Sequence, residues 1–215
     1  PNGSATSTDF SSTQSVNARS GNDTIQLVDG ASLANLSGGA GSGDTLTGSS
    51  GGVTFNVTGD DSGNVGGSAT VTAWSEIENL NGTAGVQDDF VLDPNVTLSG
   101  NLDGGDPTDG NTLLLNNGSR ILGTVSDVDV TLSAAGSAGN VDEHFTVQIS
   151  GGVLQVVVED AGTGATTTSS YFNPGAGLNV TLSIDADQGA DTLTVDYSTG
   201  TIPAIIEFNI DTVND

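Results

Sequence analysis

Carboxylate and amide side chains are concentrated in one glycine-rich stretch of the sequence, from Asp103 to Asn111. Ca2+ takes about six to eight hard oxygen ligands, which Asp, Asn and main-chain carbonyl groups on flexible turns can supply. This stretch places three carboxylates and one amide in what composition indicates is a turn. It therefore predicts a calcium site with the side-chain ligands Asp103, Asp106, Asp109 and Asn111.

A second acidic cluster, formed by Asp185, Asp187 and Asp191, is a further candidate for Ca2+. The pair Asp60 and Asp61 is a weaker one. Such clusters can also arise without a metal, because Asp and Asn favour turns in any protein and an acidic surface suits high external salt. The chain carries 27 acidic and two basic residues, for a net charge of −25, and a bound cation would relieve the resulting repulsion.

Residues for most enzymatic chemistry are scarce. His144 is the only histidine, so a serine nucleophile would have no other imidazole as its base. Arg19 and Arg120 are the only basic side chains, so nucleic acid and anionic membranes are disfavoured as partners. We therefore expect a protein that is not an enzyme and does not insert into a membrane, with Trp74 buried rather than stacked on a sugar. A glycosidase, which needs only two carboxylates, is the enzymatic alternative.

Short apolar runs separated by Gly, Asp, Asn and Ser clusters must position these side chains. The chain has 32 glycines and no stretch with a helical apolar period. This alternation predicts an all-β fold of short strands and tight turns. The absence of cysteine leaves no disulfide or thiolate metal site.

The sequence divides into three regions: an N-terminal extension (1–20), a repeat region (21–125) and a second β-rich region (126–215). The first strand-like run, Asp23–Leu27, matches Asp88–Leu92 about 65 residues later, which suggests a repeated module of several strands. In the second region the apolar runs are longer, and Ser150–Gly152 indicates a tight hairpin or a solenoid corner.

The last run, from Ile202 to Ile210, is unusually apolar for the end of the sequence. It is either a final core strand or a strand lent to a neighbouring copy of the chain. The second alternative predicts a self-association strand with the apolar residues Ile205, Ile206, Phe208 and Ile210.

The stretch from Asp88 to Leu114 resembles repeats in large secreted bacterial surface proteins and adhesins of the haemagglutinin type. Glu76–Leu80 and Ile184–Pro203 resemble other recurring stretches of this class. The resemblance implies a right-handed parallel β-helix or β-solenoid, with a β-sandwich as the alternative for the second half, and turns similar to those of the calcium-binding RTX proteins. Gly38–Leu46 departs from the RTX pattern by one extra residue before its Asp, and no two units stand in tandem.

Asn-x-Ser/Thr sequons recur along the chain and predict glycosylation of a surface protein. The candidate acceptors are Asn22, Asn35, Asn56, Asn81, Asn95, Asn117 and Asn179. Together these features predict a secreted, cell-surface structural protein, stabilised by Ca2+, that associates with copies of itself into a filament or layer. The alternative is an adhesin module that binds a glycan or a host surface.

Overall fold

The computed structural model describes residues 15–116, 118–135, 141–172, 179–186, 189–202 and 204–209. Every regular element in these ranges is a β-strand, which confirms the predicted all-β class. In chain order the strands are β1 (Ser15–Asn17), β2 (Thr24–Gln26), β3 (Ser32–Ser37), β4 (Thr45–Thr47), β5 (Val53–Gly59), β6 (Ser62–Gly67), β7 (Thr70–Ser75), β8 (Asn79–Asn81), β9 (Asp89–Leu92), β10 (Thr97–Leu98), β11 (Leu102–Asp103), β12 (Thr112–Leu115), β13 (Arg120–Ile121), β14 (Val125–Ser126), β15 (Asp129–Ala135), β16 (Glu143–Ser150), β17 (Val153–Asp160), β18 (Thr166–Ser170), β19 (Asn179–Asp185), β20 (Thr192–Asp196) and β21 (Ala204–Asn209).

Ten of these strands form one sheet in the order β1-β3-β7-β6-β5-β9-β12-β15-β19-β21. All neighbouring pairs are parallel except those that β6 makes with β5 and β7. Because the pairing is in register, equivalent residues of neighbouring strands lie side by side. Side chains alternate between the two faces along each strand, so the inward apolar residues of successive strands stack into buried columns. One such column consists of Phe55, Phe90, Leu113, Val130 and Val180.

A second, five-stranded sheet has the order β14-β11-β8-β4-β2 and is parallel throughout. Its apolar residues, such as Leu46, Leu80 and Leu102, pair with one another, point inward and join the same core as the ten-stranded sheet. The residues on either side of them are Thr, Asn, Asp, Gln or Ser and face outward. The sheet therefore has one apolar and one polar face.

Between β8 and β15 the chain visits the sheets in a fixed order. It passes through the five-stranded sheet, the ten-stranded sheet and the two-stranded β10-β13 sheet, and then repeats the circuit. Successive strands in one sheet pair about one circuit apart, as in Leu80 with Leu102 and Leu102 with Val125. Since Leu80 and Leu102 are one circuit apart, the circuit is shorter than the repeat of about 65 residues predicted from Asp23–Leu27. The two runs of that predicted repeat are not equivalent in the fold, because β2 lies in the five-stranded sheet and β9 in the ten-stranded sheet.

Two antiparallel insertions lengthen the circuit elsewhere. In the first, β5 pairs antiparallel with β6, and β6 with β7, inside the ten-stranded sheet. In the second, β16, β17 and β18 form a meander to which β20 adds a parallel strand, giving a four-stranded sheet. Gly151 and Gly152 have φ of 60° and 82° between β16 and β17, as a two-residue hairpin turn requires. Of the two alternatives for Ser150–Gly152, the tight hairpin is confirmed.

The four-stranded sheet is fixed to the rest of the molecule by Tyr171 and Phe172, both buried. The Tyr171 hydroxyl donates a hydrogen bond to the Ser133 carbonyl at 2.9 Å, and the main-chain carbonyl of Tyr171 accepts one from the Ile121 N–H at 3.1 Å. Burial raises the pKa of Tyr171 to about 12. The strands predicted for the second region are thus present. The ten-stranded sheet includes strands from both sides of residue 126, and the division into three regions stays a prediction.

Trp74 is buried, as predicted, with 2% of its surface exposed. Arg19 and Arg120 are both exposed, and the Arg120 Nε donates to Thr97 Oγ1 at 3.1 Å. Within the described ranges no helix has the length and hydropathy that a membrane crossing requires.

Candidate functional site

The glycine-rich turn between β11 and β12 carries the strongest calcium prediction, and its exposed carboxylates mainly hold the turn. Asp103 Oδ1 accepts the Gly105 N–H at 3.0 Å. Asp106 Oδ1 accepts both the N–H and the hydroxyl of Thr108, at 2.8 and 2.7 Å, and these bonds lower the pKa of Asp106. Both carboxylates are therefore oriented by the backbone of their own turn.

The other two predicted ligands reach away from the turn. Asp109 Oδ2 accepts the Gly85 N–H at 2.5 Å. Asn111 is 2% exposed, and its Oδ1 accepts the Asp88 N–H at 2.8 Å. Its Nδ2 donates to three main-chain carbonyl oxygens, those of Gly104, Asp106 and Asp127. Asn111 is thus a buried crosslink between turns, which is a structural use that the sequence prediction did not anticipate.

Asp127 belongs to the same surface region and was missed by reasoning from the sequence. Burial raises the pKa of the Asp127 carboxyl, and the neighbouring carboxylates of Asp103 and Asp106 raise it further. The described residues nevertheless form no group of three or more His, Cys, Asp or Glu side chains suited to a metal. Calcium at this turn stays a prediction, with Asn111 already committed to the backbone.

The structure describes only part of the second acidic candidate. Asp191 Oδ1 accepts the Glu143 N–H at 2.9 Å, just before β20 in the four-stranded sheet. Asp185 ends β19 in the ten-stranded sheet. Asp187 and the side chain of Asp185 lie outside the described residues, so their part of the prediction stays open.

The weaker acidic pair lies at the tip of the β5–β6 hairpin. Asp60 Oδ1 accepts the Thr97 N–H at 2.8 Å, and Asp61 Oδ1 accepts the Ser99 N–H at 2.7 Å. These bonds tie the hairpin tip to the segment around β10. Both carboxylates thus act as acceptors for backbone N–H groups of a neighbouring segment.

The polar face of the five-stranded sheet contains a groove of about 330 Å3. Its lining includes Asn79, Asn81, Asn101, Asp103 and Ser126 from three neighbouring strands and the turn before β11. Some of these groups hold the backbone, since Asn79 Oδ1 accepts the Asn101 N–H at 2.9 Å and Asn101 Oδ1 accepts the Thr124 N–H at 2.8 Å. The groove therefore presents amides, hydroxyls and one carboxylate, and neither an aromatic ring nor a cationic group is among its lining residues.

The sequons differ in accessibility. Asn22, Asn35 and Asn95 are exposed, whereas Asn56 and Asn81 are half-buried on strands. Asn56 Nδ2, the atom that a glycan would modify, donates to Asn64 Oδ1 at 2.9 Å. Asn117 and the side chain of Asn179 lie outside the described residues, so glycosylation stays a prediction.

The predicted self-association strand is β21, the last strand of the ten-stranded sheet. Its backbone pairs parallel with β19, as in Ile205 with Thr181 and Phe208 with Ile184. In the single chain it is thus a strand of the protein's own sheet, which was one of the two alternatives. Ile210 and the side chains of Ile205, Ile206 and Phe208 lie outside what the structure describes.

His144, the residue considered for catalysis, is exposed on β16. No protein-family model matches the chain, and neither a curated protein nor a solved structure matches it. The resemblance to bacterial surface-protein repeats therefore stays a hypothesis.

Proposed function

We propose that the chain is an extracellular structural module that joins end to end with copies of itself. The repeated circuit through three sheets between β8 and β15 supports a parallel β-helix or β-solenoid as the underlying architecture. In such architectures each coil buries its apolar face against the next, so the end coils present unpaired backbone. Secretion is the part of the proposal that rests on composition and resemblance alone.

The observation that carries the proposal is the direction of the two outermost strands. β1 lies at one edge of the ten-stranded sheet and β21 at the other. Because only β6 runs against its neighbours, β1 and β21 run in the same direction. A second copy placed with its β1 beside β21 would therefore continue the parallel ladder. Such a head-to-tail contact does not close on itself and generates a filament.

Edge pairing has an advantage over lending β21 to a neighbour. Lending would break the six residue pairs that β21 makes with β19. Edge pairing leaves those pairs intact and adds new ones. The charge of −25 opposes association at low salt, so cations should favour it.

The test blocks one edge without disturbing the fold. Ala18 donates its N–H to the Ser37 carbonyl of β3, so by strand alternation the Asn17 N–H points to the open side of β1. Asn17→Pro removes that donor, and Asn17→Ala is the matched control that keeps it. We expect large, polydisperse species by light scattering for the wild type and Asn17→Ala in CaCl2, and a single-chain mass for Asn17→Pro. A wild type that stays at single-chain mass at every salt and CaCl2 concentration would overturn the proposal.

The polar groove favours a second candidate function, binding of a neutral glycan. Its amides and hydroxyls suit the hydroxyl groups of a sugar, and the surrounding negative charge disfavours polyanions. Retention of the wild type on neutral glycans of an array, lost in Asn81→Ala, would support this candidate. Equal retention of both proteins, or none, would count against it.

A further inference from the structure

Three turns of the chain share one local geometry, in which a glycine packs over a buried polar side chain that follows it in the sequence. A Cβ on the glycine would lie 1.9 to 2.2 Å from a main-chain carbonyl oxygen and 2.8 to 2.9 Å from the second polar atom of that side chain. No larger residue fits there, so we call these places glycine turns. They are Gly38 with Asp44, Gly82 with Asp88, and Gly104 with Asn111.

Two of the glycine turns satisfy both polar atoms of the buried side chain. In the Asn111 turn, Oδ1 accepts the Asp88 N–H and Nδ2 donates to carbonyl oxygens. In the Asp88 turn, Oδ1 accepts the Val53 N–H at 2.7 Å and Oδ2 accepts the Thr83 N–H at 2.6 Å. An amide thus faces acceptors, and a carboxylate faces donors.

The Asp44 turn breaks this rule. Asp44 is fully buried, and its Oδ1 accepts the Asp23 N–H at 2.7 Å. Its Oδ2 has no hydrogen-bond partner. Cβ atoms added at Gly38 and Gly41 would lie within 2.9 Å of this oxygen and 1.9 and 2.3 Å from the carbonyl oxygens of Glu76 and Gly21. A buried carboxylate oxygen therefore lies near carbonyl oxygens without a donor between them.

A second oxygen without a partner lies directly before the neighbouring strand β2. Asp23 Oδ2 is buried without a hydrogen-bond partner, and the Asp23 N–H is bonded to Asp44. On the other side, Glu78 Oε2 accepts the Asp44 N–H at 2.8 Å, so three carboxylates follow one another before β2, β4 and β8. Burying charged oxygens without compensation is costly. The surroundings of Asp44 thus combine unpartnered carboxylate oxygens with main-chain carbonyl oxygens, the groups that coordinate a cation.

We infer that the Asp44 turn binds a divalent cation of the Ca2+ class, with Asp44 and Asp23 as side-chain ligands and main-chain carbonyl oxygens completing the set. Ca2+ favours this combination of carboxylate and carbonyl oxygens. The Asn111 turn shows the alternative solution, since its NH2 group supplies the positive end that the carbonyl oxygens require. The site is separate from the acidic turn at Asp103–Asn111 and does not depend on end-to-end association.

The comparison of the two turns defines the test, which is Asp44→Asn. Asparagine is the same size, its Oδ1 can still accept the Asp23 N–H, and its NH2 can donate to the carbonyl oxygens as that of Asn111 does. After removal of metal with a chelator, the chain is titrated with CaCl2 by calorimetry and its thermal unfolding is recorded in CaCl2 and in chelator. Asp160→Asn, at the surface turn after β17 and outside every candidate calcium site, is the matched control.

We expect Asp44→Asn to lose one bound Ca2+ per chain relative to the wild type and to Asp160→Asn. In chelator it should unfold at the same temperature as the wild type or above it, and in CaCl2 below it. Because ligand binding to the folded state raises the unfolding temperature, only the two proteins with an intact site should respond fully to CaCl2. If Asp44→Asn binds as much Ca2+ as the wild type, or both melt alike with and without CaCl2, the inference is wrong. Should Asp44→Asn fail to fold, Asp23→Asn has to show the same loss of one Ca2+.

Discussion

The short strands between β8 and β14 and the hairpin of β16 and β17 satisfy their backbone hydrogen-bonding groups in different ways. The strands from β8 to β14 have two to four residues, whereas β16 and β17 have eight each. Short strands make few ladder hydrogen bonds, so buried turn side chains such as Asp88 and Asn111 bind the remaining backbone groups. In the hairpin the eight-residue backbone ladder supplies most of these bonds, and Asp160, at the end of β17, accepts backbone N–H groups only in the surface turn that leads to β18. Turn substitutions should therefore destabilise the short-strand region between β8 and β14 far more than the hairpin.

The largest effect should come from Asp88→Ala. It leaves the N–H groups of Val53 and Thr83 without acceptors, at about 1–3 kcal/mol for each. We expect the free energy of unfolding, measured by urea denaturation, to fall by about 2–5 kcal/mol. Asp89→Ala, which removes bonds from the side chains of Thr112 and Gln87 and leaves no backbone N–H of the described residues without its acceptor, is the control and should cost much less.

The same variant has a pH signature. Burial raises the pKa of Asp88 above 3.8, so the folded state holds this proton more tightly than the unfolded state. The contribution of Asp88 to stability is therefore fully present below that value and declines as the pH rises through the folded pKa. The gap between wild type and Asp88→Ala should be widest in acid. A gap that widens towards neutral pH would contradict this assignment.

Tyr171→Phe should have an intermediate effect, because it keeps the packing of the ring and removes one hydrogen bond to the Ser133 carbonyl. We expect a loss of about 1 kcal/mol in the free energy of unfolding. The pKa of Tyr171 rises from 10.0 to about 12, so the wild type should lose stability as the pH rises through this interval. The variant should lose less there, and Tyr197→Phe, at a side chain 62% exposed, should behave like the wild type. Identical alkaline unfolding of all three proteins would refute the role of Tyr171.

The smallest effect should come from Asp160→Asn in the hairpin region. Asp160 Oδ1 accepts the N–H groups of Gly162 and Thr163 at 2.8 and 2.9 Å, and the bonds from this turn lower the pKa of Asp160. Its contribution is present above pH 3.8 and is lost as the pH falls through the folded pKa. Asn keeps an acceptor, so the urea midpoint at neutral pH should barely move. A loss as large as that of Asp88→Ala would abolish the distinction between the two regions.

The sequence predicted the strands of the second region and the all-β class because their apolar runs are long and end at Gly or Asp. It did not predict which sheet each short strand joins. Thr45–Thr47 and Thr112–Leu115 share the pattern of a polar residue before an inward Leu, yet they lie in different sheets. In strands of two to four residues, the alternation of apolar and polar side chains looks the same whichever sheet the strand joins. The β5–β7 insertion also changes the number of strands between successive visits to one sheet, so the sheet cannot be assigned by counting strands along the sequence.

For the candidate site, the sequence located a real turn at Asp103–Asn111 but not the use of its side chains. Exposed and buried polar side chains look alike in a sequence. Only the structure shows that Asn111 is buried and crosslinks turns, whereas Asp106 is not buried. The sequence does contain a pattern common to the three glycine turns. In each of them Gly38, Gly82 or Gly104 is followed, six or seven residues later, by a buried Asp or Asn that lies directly before a strand.

The β16–β18 meander also affects how the chain can fold. The parallel pair of β15 and β19 joins Asp129 to Asn179, and closing so long a loop is entropically unfavourable. The hairpin of β16 and β17 needs only the local turn at Gly151 and Gly152, so it can form in microseconds, before that pair. Once formed, it shortens the free chain between Asp129 and Asn179 and thereby speeds their encounter. The largest interruption of the parallel sheet is thus also the element that makes its most distant pairing kinetically accessible.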